Sequence, residues 1–331
     1  MRIRRLKDKL GTCGVATGEV DLIETYAIEI AGPPEGFKLM MEALEFSRIH
    51  NAMAAVGLQR RAFLESFCFA ANRQAFGDTI TNYPMVQTEI VTILANLEGD
   101  LALACEAAQC FDQACQHTPG DENSDVHTWL RLVTALAKYQ TAENANRSCR
   151  AAIEIIGGNG YTYDYVTPRL LRDAQVLTVW EGPANIQALE ILRLLGGRYS
   201  GFALFKTRIQ NSLQGLSPSS SLLAEAVRKA LDECEEANTY IQSDANAAHR
   251  HARRLMSFMA KLLTAAILLE VADEALADGN DRKSLIARWY IEHALHSSQN
   301  HGIGPQSDWM FEAFDRIIAE QVESLSAASA D

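Results

Sequence analysis

The sequence predicts a mainly α protein: a four-helix bundle preceded by a short β remnant and followed by an additional helical domain. Three observations predict it. Apolar residues recur at three- and four-residue intervals along most of the chain after Gly36. The breaks between these stretches are short clusters of glycine, proline, serine and asparagine, the residues that stop and start helices. Only the first thirty or so residues depart, with the apolar–polar alternation of strands.

The 331 residues suit two domains, or one large helical domain with an appendage, and 48% apolar content supplies an extended core. A net charge of −12 disfavours a generic nucleic-acid binder, because neutralising phosphates takes a basic surface. The longest apolar stretches, such as FMAKLLTAAILLEVA, are interrupted by Lys or Glu and too short to span a bilayer. MRIRRLKDK is basic but lacks the apolar run of a secretory signal, and its missing serines and Asp8 count against a mitochondrial one. Seven cysteines occur without a C-x-x-C pair. Cys105, Cys110 and Cys115 recur every five residues, which turns successive thiols around a helix. They read as small buried hydrophobes in a reducing, cytoplasmic protein with no metal framework.

In order along the chain, Arg2–Leu6 and VDLIETYAIEI read as strands around a glycine-rich turn, GTCGVATG. Three short strands cannot fold alone, so residues 1–32 either need a neighbour to cover them or are the remnant of a larger sheet, a first sign that the chain begins partway through a fold. Residues 33–197 carry the bundle. Phe37–Asn72 is one long helix, interrupted only by Gly57. RQAFGDTITNY is a loop, and Pro84 opens a second helix that runs to about His117. TPGDEN turns the chain, and Asn123 or Ser124 caps a third helix ending at Ile156. The fourth begins at Pro183 and fades at Gly196–Gly197. Residues 198–331 form the additional domain, with helices at 202–214, 220–240, 243–278, 281–298 and 308–326 and a frayed tail.

The stretch between the third and fourth helices is the most informative. Gly157 and Gly158 stop one helix, since glycine takes positive φ at little cost. Gly182 and Pro183 start the next. Glu181 is therefore pinned beside a helix start, placed either as a base or as a cap and ion-pair partner.

Four motifs, in order, give the chain its resemblance to the acyl-CoA dehydrogenase family, and specifically to the C-terminal half of those enzymes. They are GPPEGFKLMMEALEFSR, NRQAFGDTITNYPMVQ, IEIIGGNGY and LLRDAQVLTVWEGPANIQ. The match runs from Arg5 to about Arg193, with RRLKDKLGTCGVATGEV resembling the end of the family's middle β domain. The resemblance implies an FAD enzyme that oxidises an acyl-CoA thioester to the enoyl-CoA. It assigns the α-proton base to Glu181, in a pocket to which Val179 and Trp180 contribute. A desolvated carboxylate suits that task, because burial raises its proton affinity. One branch places its base on the first long helix, where this chain has Ser47, so Glu181 is the base of the two. Arg48 and Gly182 match positions near the acyl-CoA; by itself Arg48 reads as a surface cation. Arg73, Phe76, Glu154, Gly157 and Gly158 match residues that meet FAD from a neighbouring subunit. Pro183, Ala184 and Asn185 match the helix start facing FAD within the subunit. The resemblance further implies a homodimer or homotetramer, and an electron acceptor such as electron-transfer flavoprotein. The chain departs from the family's pattern at Pro84 and Glu154, where glutamines are usual. A carboxylate beside FAD phosphates is unfavourable unless it is turned away.

WEGP followed by extra helices is nearest the branch holding alkylation-response and very-long-chain types. That branch motivates one alternative, a DNA-associated flavoprotein, together with the basic amphipathic stretch AHRHARRLMSFMAKLL, which reads first as a solvated face. A second alternative is a non-catalytic oligomerisation protein that keeps the bundle. His293, His296 and His301 lack an acidic or thiol ligand at a metal-binding interval and read as structural or surface residues.

Overall fold

The computed structural model describes residues 1–116, 124–243, 245–295 and 309–328, and only the backbone of 245 and 320–328. His117, Asn123, His296 and His301 lie outside the described residues.

The N-terminal strands are fewer than expected. β1 (Arg2–Leu6) pairs antiparallel with β2 (Gly18–Asp21), while residues 22–30 form no strand. Their alternating pattern finds no partner edge, and Leu22, Ile23, Tyr26, Ile28 and Ile30 stay exposed. The turn between the strands is nevertheless anchored. The Thr12 amide donates to Asp173 at 2.5 Å, and a Cβ on Gly11 would lie 2.3 Å from the Arg172 carbonyl oxygen.

Three long helices follow: α1 (Glu35–Asn72), α2 (Pro84–Cys115) and α3 (Asp125–Ile156). Pro84 opens α2 without losing a hydrogen bond, and the Ser124 hydroxyl caps α3 by accepting from the His127 amide. The fourth rod of the bundle differs from expectation. It is two helices, α4 (Thr167–Leu177) and α5 (Ala184–Leu195), separated by a turn that contains Glu181. The segment expected to be a loop is helical because Leu170, Ala174 and Leu177 make one apolar face, and Pro168 sits in the first turn. Small residues line the seam of α1, α3 and α4: Ala55, Ala62, Ala142, Ala145, Cys149, Ala152 and Ala174 are all buried, which lets these helices approach closely.

The remaining helices are α6 (Gly201–Ser212), α7 (Ser221–Ser243), α8 (Ala245–Ala277), α9 (Arg282–Ala294) and α10 (Trp309–Ala328). One continuous apolar core runs from Ile49 in the bundle to Ile318 in α10. α8 is long and apolar enough to cross a bilayer, yet 72% of its apolar window is buried, the behaviour of a core helix. Ion pairs stitch the same boundary: Arg208 of α6 reaches Glu106 of α2 and Glu270 of α8, each at 2.8 Å. Of the three cysteines on α2, only Cys110 is buried, while Cys105 and Cys115 face solvent. Steps of five residues cannot keep all three thiols on the packed side. Burial pushes the Cys110 thiol up to about 12.

Gly99 sets the spacing between α2 and the α8–α9 pair. A Cβ there would meet Thr264 Cγ2 at 2.6 Å and Leu268 and Tyr290 at 3.3 Å. Gly99→Ala is therefore expected to lower stability by ~1–3 kcal/mol despite alanine's better helix propensity. A denaturant midpoint equal to or above that of the wild type would refute the close-packing account.

Candidate active site

The turn between α4 and α5 is a strained elbow. Glu181 has φ +58° and Gly182 φ +96°. The left-handed region costs a non-glycine residue about 1 kcal/mol or more, so other groups must hold it. Three side chains do. Arg48 Nε donates to the Glu181 carbonyl at 3.1 Å, and Gln187 Nε2 donates to the Glu181 and Gly182 carbonyls, both at 3.0 Å. Lys138 Nζ donates to the Gly182 carbonyl at 2.7 Å. Asn51 Nδ2 secures the end of α4 through the Leu177 carbonyl at 3.2 Å.

The clamp uses backbone oxygens and leaves the carboxylate out of it. Glu181 Oε2 is buried, and no protein group within the described residues hydrogen-bonds it. Lys138, 1% exposed on α3, is pushed down to about 8, first by burial and then by Arg48, with Glu181 opposing the shift. Arg48 is not the surface cation it resembles in isolation. It is buried, and its other contact is Glu45 at 2.6 Å. Burial outweighs Arg48 and raises the Glu45 pKa. Beside this pair Arg131 and Glu190 form a second ion pair between α3 and α5. Ser47, the alternative base position, is a half-buried hydroxyl on α1. Pro183 and Asn185 are exposed and Ala184 half-buried at the start of α5. Val179 and Trp180 are 60% and 45% exposed, so within one chain they do not wall in Glu181.

The other predicted site residues gather at a different end of the molecule. Arg73 follows α1, and Phe76 tips a hairpin of β3 (Gln74–Ala75) and β4 (Asp78–Thr79). Phe76 and Gly77 take φ +57° and +98°, a two-residue turn of the kind that suits tight hairpins. Tyr83 Oη donates to the Ala75 and Phe76 carbonyls at 2.9 and 3.0 Å, and the Phe76 ring stands 98% exposed. At the end of α3, Gly157 has φ +76°, and no atom lies within 4 Å of where a Cβ on Gly157 or Gly158 would sit. Glu154 is exposed and paired with Arg150, which compensates its charge.

α1 and α3 run in the same direction. Arg48 and Lys138 meet at the elbow, and Gln59 Nε2 donates to the Thr141 carbonyl further along. From Arg48 to Arg73, and from Lys138 to Gly157, the helices rise by about 28–38 Å at 1.5 Å per residue. The structure thus brings Arg48, Glu181, Gly182, Pro183, Ala184 and Asn185 together at one level. It places Arg73, Phe76, Glu154, Gly157 and Gly158 at the far end. Lys138 and Gln187, which hold the elbow, escape sequence reasoning; the one available signal is a lysine inside the apolar run VTALAKYQ.

The bundle, with one unpartnered carboxylate oxygen of Glu181 at a clamped break in its fourth rod, has the architecture of an acyl-CoA dehydrogenase C-terminal helical domain. The family models agree: that of the acyl-CoA dehydrogenase C-terminal domain matches residues 34–196, and that of the acyl-CoA dehydrogenase 11 C-terminal domain matches 201–308. The chain belongs to the acyl-CoA dehydrogenase family. It is 30% identical over 287 residues to acyl-CoA dehydrogenase family member 11 of Caenorhabditis elegans, covering 84% of this chain and 46% of that one. It is also 30% identical over 195 residues to the putative acyl-CoA dehydrogenase AidB of Escherichia coli, covering 59% and 35%. The crystal structure of C. elegans ACDH-11 in complex with C11-CoA superposes with a TM-score of 0.81 at 26% identity, covering 96% of this chain and 54% of that one. The chain thus spans about half the length of these relatives or less.

Proposed function

We propose that the protein is an FAD-dependent acyl-CoA dehydrogenase in which Glu181 removes the proton α to the thioester. The observation that carries this reading is the elbow: a glutamate held in a strained conformation through its carbonyl, with one carboxylate oxygen buried and unpartnered. Strain stored in this way concentrates at functional sites. An unpartnered carboxylate oxygen is available to a substrate C–H. The electron pair of the α C–H bond becomes part of the new double bond as Glu181 takes the proton. When bound, FAD supplies the acceptor for the β-hydride. Arg48 and Lys138 place positive charge at the same elbow, which favours a negatively charged acyl group as the proton leaves.

The far-end residues fit a flavin. Arg73 offers a planar fork for a pyrophosphate, Phe76 an exposed ring, and Gly157 and Gly158 open space for close approach. Their distance from Glu181 supports a site completed between two copies of the chain, so that the Arg73–Phe76 hairpin of one serves the elbow of the other. The working protein is accordingly a homodimer or homotetramer, and its electrons pass to an acceptor such as electron-transfer flavoprotein.

The test is anaerobic mixing of the FAD-loaded protein with acyl-CoA thioesters of graded chain length, following the visible flavin band. Bleaching by at least one thioester is expected. A protein that purifies colourless and takes up no added FAD sinks this reading and leaves the non-catalytic bundle.

A further inference from the structure

A second concave site lies away from the elbow, between α3 of the bundle and α8 and α9 of the extension. A deep hollow of about 170 Å³ adjoins a more open one of about 510 Å³, and the two share Tyr139, Ser257, Lys261 and Ala294. Among the described residues their walls carry the cations Arg147, Arg250, Arg253, Arg254 and Lys261 against one carboxylate, Glu143. Glu143 is already engaged by Arg253 at 3.2 Å. In a protein of net charge −12 this concentration of one sign is not a consequence of composition.

The deep end is the more telling part. Exposed Arg147 on α3 and half-buried Lys261 on α8 both line it, and neither has a hydrogen-bond or ion-pair partner among the described residues. Burial and then Arg147 lower the Lys261 pKa, so the two cations repel rather than share an acid. Asp100, behind the floor, feels Arg147 but spends its oxygens on amide donors. Half-buried Lys261 gains nothing from a neighbouring like charge; an anion bridging Lys261 and Arg147 would convert repulsion into charge-assisted hydrogen bonds. Beyond that point the three arginines of α8 continue along the cleft, so a second anionic group could be met further out. Tyr139 and Phe258 give the same cleft apolar wall.

We propose that this cleft binds a small phosphorylated ligand bearing two or more phosphate groups, of the nucleoside di- or triphosphate class. One phosphate is held between Arg147 and Lys261, and the rest lies along the arginines of α8. The concave shape and the depth of Lys261 favour a compact ligand over a duplex. The site is independent of the dehydrogenase reading, since none of its residues belongs to the elbow or to the Arg73–Phe76 hairpin.

Calorimetric titration of the protein with ATP, inorganic pyrophosphate and coenzyme A tests the assignment, alongside Lys261→Met, Arg147→Met and Arg48→Met. The expected result is saturable one-to-one binding of ATP, displaced by pyrophosphate and weakened at least about tenfold by either Lys261→Met or Arg147→Met, with unchanged melting temperature and no effect of Arg48→Met. Coenzyme A binding with the same dependence on Lys261 would support the site and name its 3′-phospho-ADP portion as the source of the phosphates. The assignment is overturned by absence of binding at about 1 mM ligand, by full affinity in both cleft variants, or by loss in Arg48→Met, which would locate binding at the elbow. Salt-dependent binding of duplex DNA that pyrophosphate does not displace would also overturn it, in favour of an extended nucleic-acid surface.

Discussion

Glu181→Gln is expected to slow flavin reduction by acyl-CoA by about 10²- to 10⁴-fold, the range for removal of a general base. The substitution is close to isosteric, and the elbow is held through the Glu181 and Gly182 carbonyls, which the variant keeps. Folding and FAD uptake should therefore survive while the proton acceptor is lost, because a neutral amide cannot take the α-proton. Rapid anaerobic mixing with the best thioester, compared between the two proteins at equal flavin occupancy, reads the effect directly. An undiminished rate would remove Glu181 from the chemistry. A colourless variant would instead show that the carboxylate matters to the fold of the elbow, and the comparison would then move to Glu181→Asp, which keeps the charge and retracts it. Ser47, a hydroxyl on the neighbouring helix, offers no carboxylate to rescue the reaction.

What was legible in the sequence, and what was not, follows the range over which the forces act. Periodicity, proline at first turns and the Ser124 cap are local, and they locate α1, α2, α3 and α5 to within a few residues. α4 was hidden because its apolar face has few positions and its flanks, GGNGYTYDY and WEGP, look like loop. Residues 22–30 carry strand alternation, but a strand exists only where another edge pairs with it. The place of Glu181 beside a helix start was readable from Gly182 and Pro183, whereas its strained conformation was not. The groups that impose it, Arg48 and Lys138, lie 133 and 44 residues away in sequence. Likewise Arg48 reads as a surface cation until the Glu181 turn meets it. Trp180 shows the opposite error, since a ring beside a predicted base was expected to wall it in and is 45% exposed in one chain.

Asp100→Ala is expected to cost the fold about 3–5 kcal/mol in acid, the sum of buried donors left without their acceptor. Asp100 is fully buried at the junction of α2, α3, α8 and α9. Its carboxylate accepts from Gln59 Nε2 at 2.8 Å, Asn144 Nδ2 at 3.1 Å and Gln140 Nε2 at 3.3 Å. Gln140 keeps Thr264 at 2.8 Å and Tyr290 at 3.1 Å after the substitution, whereas Asn144 loses its acceptor and Gln59 falls back on a longer contact to the Thr141 carbonyl at 3.4 Å. Burial is also the largest influence on the Asp100 proton, lifting its pKa from 3.8 to about 6 against the three amide donors. Because the folded value lies above the unfolded one, the folded protein binds the extra proton between about pH 4 and 6. Wild-type stability from this group is therefore fully present in acid and is lost as the pH rises through about 6, by roughly 3 kcal/mol in total. All other titrations are common to both proteins, so the difference between wild type and Asp100→Ala isolates the one group. Denaturant midpoints converted to free energies should show that difference shrinking by about 2.4 kcal/mol from pH 4 to pH 7. A difference independent of pH would mean that the three amides compensate the buried charge completely, leaving hydrogen bonding as the whole contribution of Asp100 to the junction between bundle and extension.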